Sequence, residues 1–236
     1  MNYCLSIILP VYNEKHTLRE VLSQINRVAP ELQGRIEVII VDDGSTDSSR
    51  RLIQEFASSS QFNFEIKTAF HRINKGKGAA IQTALRLAKG DFILIQDADL
   101  EYSPTDYPRL LQPLLENQAD VVYGSRFLSG QKPMPFINYW ANRFLTGLTN
   151  LVTGLHLSDM ETCYKVFRRQ LLTGLTLKSS RFGIEPELTI KLYLAGARFT
   201  EIPISYRGRK FQEGKKINWK DGLAAIFHII RFRYFS

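Results

Sequence analysis

Two aspartates one residue apart, in Ile95-Gln96-Asp97-Ala98-Asp99, follow the apolar run Asp91-Phe92-Ile93-Leu94-Ile95 and open an irregular stretch that ends at Pro104. Carboxylates so spaced at the end of a strand can hold a divalent cation, which in turn grips a diphosphate. Three other clusters have a similar placement. Leu9-Pro10-Val11-Tyr12-Asn13-Glu14 closes an apolar run with a proline, then offers a ring on which a base could stack and a carboxylate for ribose or base hydrogen bonds. Asn13 and Glu14 fit the beginning of a helix equally well. In Val41-Asp42-Asp43-Gly44-Ser45-Thr46-Asp47 the glycine permits a tight turn, the hydroxyls can cap a helix, and one aspartate is available to a base N–H; a plain turn and cap is the competing reading. Asn74-Lys75-Gly76-Lys77-Gly78-Ala79-Ala80 lets backbone and a lysine approach an anion at a helix start, without the GxxxxGK[ST] spacing of a Walker loop. A lone aspartate pair fits a helix cap or an adventitious calcium site as well; four such clusters recurring at successive strand ends point to one ligand edge.

The elements that must position these residues alternate as they do in parallel α/β sheets. Residues 5–9, 37–41, 64–70, 91–95 and 120–123 read as short buried strands, and 17–28, 47–57, 79–88 and 107–116 as helices between them. Apolar spacing at Leu18, Val21, Leu22 and Ile25 marks the first helix, Ser45 or Thr46 is placed to cap the second, and Gly90 follows the third. Four or five parallel strands then accumulate with their carboxyl ends on one edge, where such sheets bind ligands. The second half is less regular: helices are expected over 138–153 and 188–195, a strand over 199–204, a basic glycine-containing loop over 207–216 and a last helix after it.

Composition agrees without selecting. With 236 residues, 44% hydrophobic and 23% charged, the chain is long enough for one large α/β domain. Its net charge of +8 suits a nucleotide, a nucleic acid or an acidic membrane surface. Cys4 and Cys163 form no CxxC pair, and the first apolar run lacks a basic leader and a cleavage site, so a reducing cytoplasm is the expected compartment. No apolar stretch reaches the roughly 18 residues of a membrane span, so a membrane would be met at its surface.

Taken together, Pro10-Val11-Tyr12-Asn13-Glu14, Val41-Asp42-Asp43-Gly44-Ser45-Thr46-Asp47, Asn74-x-Gly76-Lys77-Gly78, Asp97-Ala98-Asp99 and Gly124-Ser125-Arg126 resemble the family 2 glycosyltransferases of the GT-A fold, a Rossmann-like, mostly parallel sheet flanked by helices. The resemblance covers nearly the whole chain, including Asp159-Met160-Glu161-Thr162-Cys163-Tyr164-Lys165-Val166-Phe167-Arg168-Arg169, and is strongest to the dolichyl or polyprenyl phosphate mannosyl and glucosyl transferase branch. It implies a glycosyltransferase domain over 1–205, with 206–236 as a mobile basic loop and an amphipathic helix. It also implies inverting transfer of a hexose, GDP-mannose being the favoured donor and a UDP-sugar the alternative, to a polyprenyl or dolichyl phosphate. By resemblance Tyr12, Glu14 and one or both of Asp42 and Asp43 hold the nucleoside, Pro10 shapes its pocket, and Lys77, Ala98, Arg207 and Arg209 complete the donor site. Asp97 and Asp99 take Mg2+ or Mn2+ on the diphosphate; where mannosyl members usually carry glutamine two residues on, this chain has Glu101, a further candidate ligand that adds negative charge.

Members of the same branch transfer to a lipid phosphate, for which Arg126 at a strand end and Arg143 with Thr146 on one turn of the following helix are the candidate donors, although Arg143 also fits a snorkelling surface arginine. A phosphate monoester is largely dianionic at neutral pH and needs little help from a base, so positioning and charge neutralisation dominate. Asp159 matches an aspartate of the family and is the candidate base or sugar-hydroxyl acceptor, although Ser158-Asp159-Met160-Glu161 also fits a capping box. Glu185, in Gly183-Ile184-Glu185-Pro186-Glu187, fits either a sugar-hydroxyl contact or an acidic helix start. Arg207 or Arg209 would stabilise the departing nucleotide. Trp219, Leu223, Ile226, Phe227, Ile230 and Tyr234 recur at helical spacing among Lys220, Arg231 and Arg233, which suits a membrane interface or packing on the core or a second subunit. The absence of a QxxRW motif argues against a processive synthase and that of a GxGxRxxP loop against a sugar-nucleotide pyrophosphorylase; without RNP or helix-turn-helix patterning no nucleic-acid partner is expected, and a basic nucleic-acid-binding module is a remote alternative.

Overall fold

The computed structural model describes residues 3–129, 134–208 and 219–235, with the side chains of 219–223 set aside. Strands β1 (Cys4–Val11), β2 (Arg35–Asp42), β3 (Glu65–Phe70), β4 (Phe92–Ile95), β5 (Val121–Ser125), β6 (Lys165–Arg168) and β7 (Phe199–Pro203) form one sheet in the order β3-β2-β1-β4-β6-β5-β7. All run parallel except β6, which is antiparallel to both of its neighbours. The helices are α1 (Leu18–Val28), α2 (Ser49–Ala57), α3 (Lys77–Leu87), α4 (Tyr107–Leu115), α5 (Phe136–Thr153), α6 (Ile184–Leu194) and α7 (Trp219–Tyr234).

β1, β2 and β4 are apolar on both faces because helices cover both sides of the sheet, so Leu5, Ile7, Ile8, Leu9, Val38, Ile39, Ile40, Ile93, Leu94 and Ile95 are all buried. Each such side chain stabilises the fold by about 1.5–3 kcal/mol relative to exposure. The apolar stripe of α1 closes one face as its spacing predicts. Pro10 does not end β1: pairing with β2 continues to Val11, while the ladder to β4 stops at Ile8, so the missing N–H falls where that flank is open.

Two elements depart from expectation. β6 is a four-residue strand beside β5 that the apolar pattern does not predict, and its reversal brings the loop before it, 154–164, to the carboxyl edge of the other six. α6 begins at Ile184 rather than 188, because it is buried on every side and carries no amphipathic signal. The cap of α2 also differs: Asp47, not Ser45 or Thr46, accepts from the Ser49 N–H at 2.8 Å.

α7 packs on α5 and α6 through Ala225, Ile229 and Phe232, and Arg233 Nε donates to the Val152 carbonyl at 2.7 Å. The His228 ring lies over Gly183, where an added Cβ would come within 2.4 Å of it. Phe227, Ile230 and Tyr234 on α7, with Phe136, Ile137, Trp140, Phe144 and Leu151 on α5, remain exposed. No helix among the described residues is long and apolar enough to cross a membrane.

Candidate functional site

The loops after β1 and β2 are stapled to each other. Asn13 adopts φ +58°, and its side-chain carbonyl accepts from Thr46 N at 2.8 Å, while Ser45 Oγ and Ser49 Oγ accept from the N–H groups of Asn13 and Glu14 at 3.0 and 2.9 Å. Asp42, 0% exposed, accepts from Arg50 Nε at 3.0 Å and from Ser45 N at 3.2 Å. Asp43, 2% exposed, faces His71 Nδ1 at 2.6 Å and accepts from Lys75 N and Gly76 N at 2.9 and 2.7 Å. The sequence offers one or both of them to the nucleoside; the structure gives each a set of protein partners that fix three loops of one edge. Arg50 and His71, which hold them, carried no sequence signal.

The glycines of 74–80 also have an internal reason. A Cβ at Gly76 or Gly78 would lie 2.5 Å from the Ser180 carbonyl oxygen or 2.2 Å from that of Ser179, so both permit the start of α3 to press on the 179–181 backbone. That contact aims Lys77 inward. Its Nζ lies 2.8 and 3.1 Å from the two carboxylate oxygens of Asp97 and 3.1 Å from Glu185 Oε1. The other oxygen of Glu185 pairs with Lys165, which is 0% exposed and also donates to the Thr162 carbonyl. Burial alone would depress the Lys77 ammonium, but Asp97 and Glu185 outweigh it and hold the group well above the ordinary lysine range. Glu185 thus stands in the first turn of α6 and at the site together.

The Asp97–Glu101 turn is fixed from below. Gln96 is buried, accepts from Tyr107 OH and Tyr164 OH at 2.6 and 2.7 Å, and donates to the Asp97 carbonyl at 2.8 Å. Ala98 is buried, and Asp99 Oδ1 accepts from Glu101 N at 3.1 Å. Glu101 accepts from Tyr206 OH at 2.7 Å, and its carbonyl accepts from Arg207 N at 2.9 Å, so the start of the basic segment lies beside the aspartate pair. Arg209 and the remainder of the segment to Ile217 lie outside the described residues. No group of three or more His, Cys, Asp and Glu side chains among the described residues could hold a metal alone. Mg2+ commonly takes one or two carboxylates and completes its shell with phosphate and water, and Asp97 with Asp99 fit that smaller demand.

On the other side of the edge, three residues meet one loop. Arg126, 7% exposed, forms a bidentate pair with Asp159 at 2.7 Å for each bond, and its own N–H donates to the same carboxylate at 3.0 Å. Arg143 Nη1 donates to the Ser158 carbonyl at 3.1 Å, and Thr146 Oγ1 accepts from Met160 N at 3.0 Å. Glu201 accepts from the N–H groups of Ser158 and Asp159 at 2.7 and 3.0 Å. No helix follows Ser158-Asp159-Met160-Glu161, so the capping-box reading fails there. Glu161, two residues on, has a buried Oε1 without a hydrogen-bond partner; burial first and Glu185 next push its carboxyl up to about 7. Its burial had no sequence signal beyond the pattern just named.

Comparison with known proteins gives the family and the fold. Residues 6–175 match the family model described as Glycosyl transferase family 2. An undecaprenyl-phosphate 4-deoxy-4-formamido-L-arabinose transferase of Pseudomonas fluorescens is 30% identical over 213 residues, 90% of this chain and 60% of the relative. A dolichol-phosphate mannosyltransferase of Pyrococcus furiosus is 28% identical over 221 residues, again 90% and 60%. This chain thus spans about 60% of the length of these curated relatives. Glucosyl-3-phosphoglycerate synthase of Mycobacterium tuberculosis, solved with Mg2+ and UDP, superposes with a TM-score of 0.69 at 20% identity over 98% of this chain and 78% of that one, a likeness of fold. The chain belongs to glycosyl transferase family 2, with the GT-A architecture that the sheet order and the relatives share.

Proposed function

We propose that the chain transfers a hexose from a nucleotide sugar to a polyprenyl phosphate, inverting the anomeric carbon. The observation that supports this most is the meeting, on one sheet edge, of the Asp97–Lys77–Glu185 cluster with Arg126, Arg143 and Thr146 on loop 158–160. The first suits a donor diphosphate and the second an acceptor phosphate. Tyr12 and Glu14 flank the nucleoside, Pro10 and Ala98 shape its surroundings, and Asp42 and Asp43 hold the loops against it. Asp97 and Asp99 would hold Mg2+ or Mn2+, with Glu101 at the rim, and the cation's chemistry there is to neutralise the leaving diphosphate. Arg207 and Arg209 add positive charge to the same leaving group.

In this reading the acceptor phosphate is itself the nucleophile and its charge is balanced by Arg126 and Arg143, with the Thr146 hydroxyl beside them. Asp159 acts by orienting Arg126, since both oxygens of its carboxylate accept from that residue. GDP-mannose is the favoured donor, in line with the mannosyltransferase relative; a UDP-sugar is the second reading, favoured by the UDP in the solved neighbour. The exposed aromatic faces of α5 and α7, with Arg231 and Arg233 alongside, suit attachment to an acidic membrane surface at the cytoplasmic side, where the acceptor lies.

The test is incubation of the chain with Mn2+, undecaprenyl phosphate and, in turn, GDP-mannose and UDP-glucose. A lipid-extractable sugar product that disappears with EDTA is expected. Transfer that persists in EDTA overturns the metal role, and absence of both transfer and nucleotide binding overturns the reading. Flotation with anionic vesicles, lost in Trp140→Glu and Phe144→Glu, checks the membrane surface.

A further inference from the structure

We infer that Lys77 is a resident counter-ion of the donor site, whose ammonium holds Asp97 until a nucleoside diphosphate arrives, so that metal alone binds weakly and metal and diphosphate bind together. The inference rests on the donor-site reading above. It starts from one geometry: Nζ already touches both carboxylate oxygens of Asp97, at 2.8 and 3.1 Å, and Glu185 Oε1 at 3.1 Å. Lysine and a divalent cation therefore claim the same carboxylate. A cation within bonding distance of Asp97 would stand a few ångströms from the ammonium, where like charges repel more than in open water because Lys77 and Asp97 are only 16% and 24% exposed.

Lys77 has little freedom to withdraw. Its side chain is largely buried, and its backbone starts α3 between Gly76 and Gly78, both pressed on the carbonyls of 179–181. The Ala79 N–H donates to the Ser180 carbonyl at 2.9 Å, which closes the same contact. Glu185 cannot release the lysine by pairing elsewhere without cost, because its second oxygen is already taken by the fully buried Lys165. Lys77 is thus matched by Asp97 and Glu185, and a bare divalent ion at Asp97 upsets that pairing.

A diphosphate restores it. Its oxygens could accept from Lys77 and neutralise a cation that Asp97 would hold, so ammonium and metal each gain an anionic partner as the Lys77–Asp97 salt bridge is given up. Binding of metal and of nucleotide then reinforce each other, by a coupling that must be the same in either order. A nucleoside monophosphate, with one phosphate to divide between lysine and metal, should show less of it. The lysine would in this way keep the site from filling with metal before the donor comes.

The experiment is Mn2+ titration of the full chain, followed by the electron paramagnetic resonance of the free ion, alone and with saturating UDP, GDP, UMP or GMP. In the wild type, a diphosphate should tighten Mn2+ binding about tenfold or more, and a monophosphate by less. Lys77→Met without nucleotide should bind Mn2+ about tenfold more tightly than wild type, and the gain from diphosphate should shrink; Lys77→Arg, which keeps the charge, should resemble wild type. Equal Mn2+ affinity of wild type and Lys77→Met without nucleotide, with Asp97→Asn weaker than either, overturns the counter-ion role and leaves the donor site standing. Binding that ignores Asp97→Asn overturns the donor-site reading itself. If Lys77→Met loses its cooperative melt, the wild-type arm decides: Mn2+ affinity unchanged by either diphosphate sinks the inference.

Discussion

The two sides of the ligand edge are built on different principles. On the donor side, at the ends of β1, β2 and β4, carboxylates are satisfied by backbone N–H groups of neighbouring loops and by a lysine that reaches in from a helix start. On the acceptor side, at the ends of β5 and β7 and the beginning of β6, one loop is held by side chains from several elements, with a buried arginine–aspartate pair at its centre. The donor side can lose Asp97 and keep its shape, because Lys77 retains Glu185. The acceptor side cannot lose Asp159 in the same way, because the Arg126–Asp159 pair is also its frame.

That contrast can be broken by substitution. Asp159→Ala leaves a buried guanidinium unpaired and should cost about 3–5 kcal/mol in urea unfolding. Asp97→Ala, by contrast, should cost about 1 kcal/mol, since Lys77 keeps Glu185, while Mn2+ and nucleotide binding are lost. Equal destabilisation by the two would remove the distinction.

Glu161 sharpens it by pH. Its carboxyl is raised from 4.5 to about 7, by burial and then by Glu185, against the pull of Lys165 and Arg126. A raised folded value means that stability is fully present below about pH 4.5 and is lost as pH rises through about 7. Glu161→Gln should flatten that slope, by at most about 3 kcal/mol across the window in thermal melts. Gly78→Ala, on the donor side, should cost about 1–3 kcal/mol through its clash with the Ser179 carbonyl, and should weaken nucleotide binding by shifting Lys77. Arg143→Ala should be smallest in stability, within about 0.5 kcal/mol, but should raise the KM for lipid phosphate about tenfold. An unchanged KM would remove Arg143 from the acceptor site.

The same contrast governs what the sequence made legible. β1, β2 and β4 are continuous apolar runs that end in polar clusters, and α1 has a regular stripe, so the donor half of the fold could be read by period and punctuation. β6 could not. It is four residues long and begins with a lysine that is buried because Glu185, the Thr162 carbonyl and the Tyr123 ring surround it, circumstances that only the folded chain supplies. α6 hid for the opposite reason, having no exposed face to set a period. The Gly76 and Gly78 pair was visible, but its contact with 179–181 joins segments about a hundred residues apart, beyond any local pattern. The arginines of the acceptor side were reached through family resemblance, whereas the loop they share followed only from the fold.

β6 has a consequence for how this architecture can vary. Chain added before it, between Thr153 and Lys165, emerges beside Asp159 and Glu161 at the ligand edge, whereas chain added after Arg168 emerges at the far edge near Gly90 and Asp120. A reversed strand of four residues therefore sorts insertions by position: those on one flank can reshape what the site accepts, and those on the other can enlarge the molecule while leaving its chemistry alone.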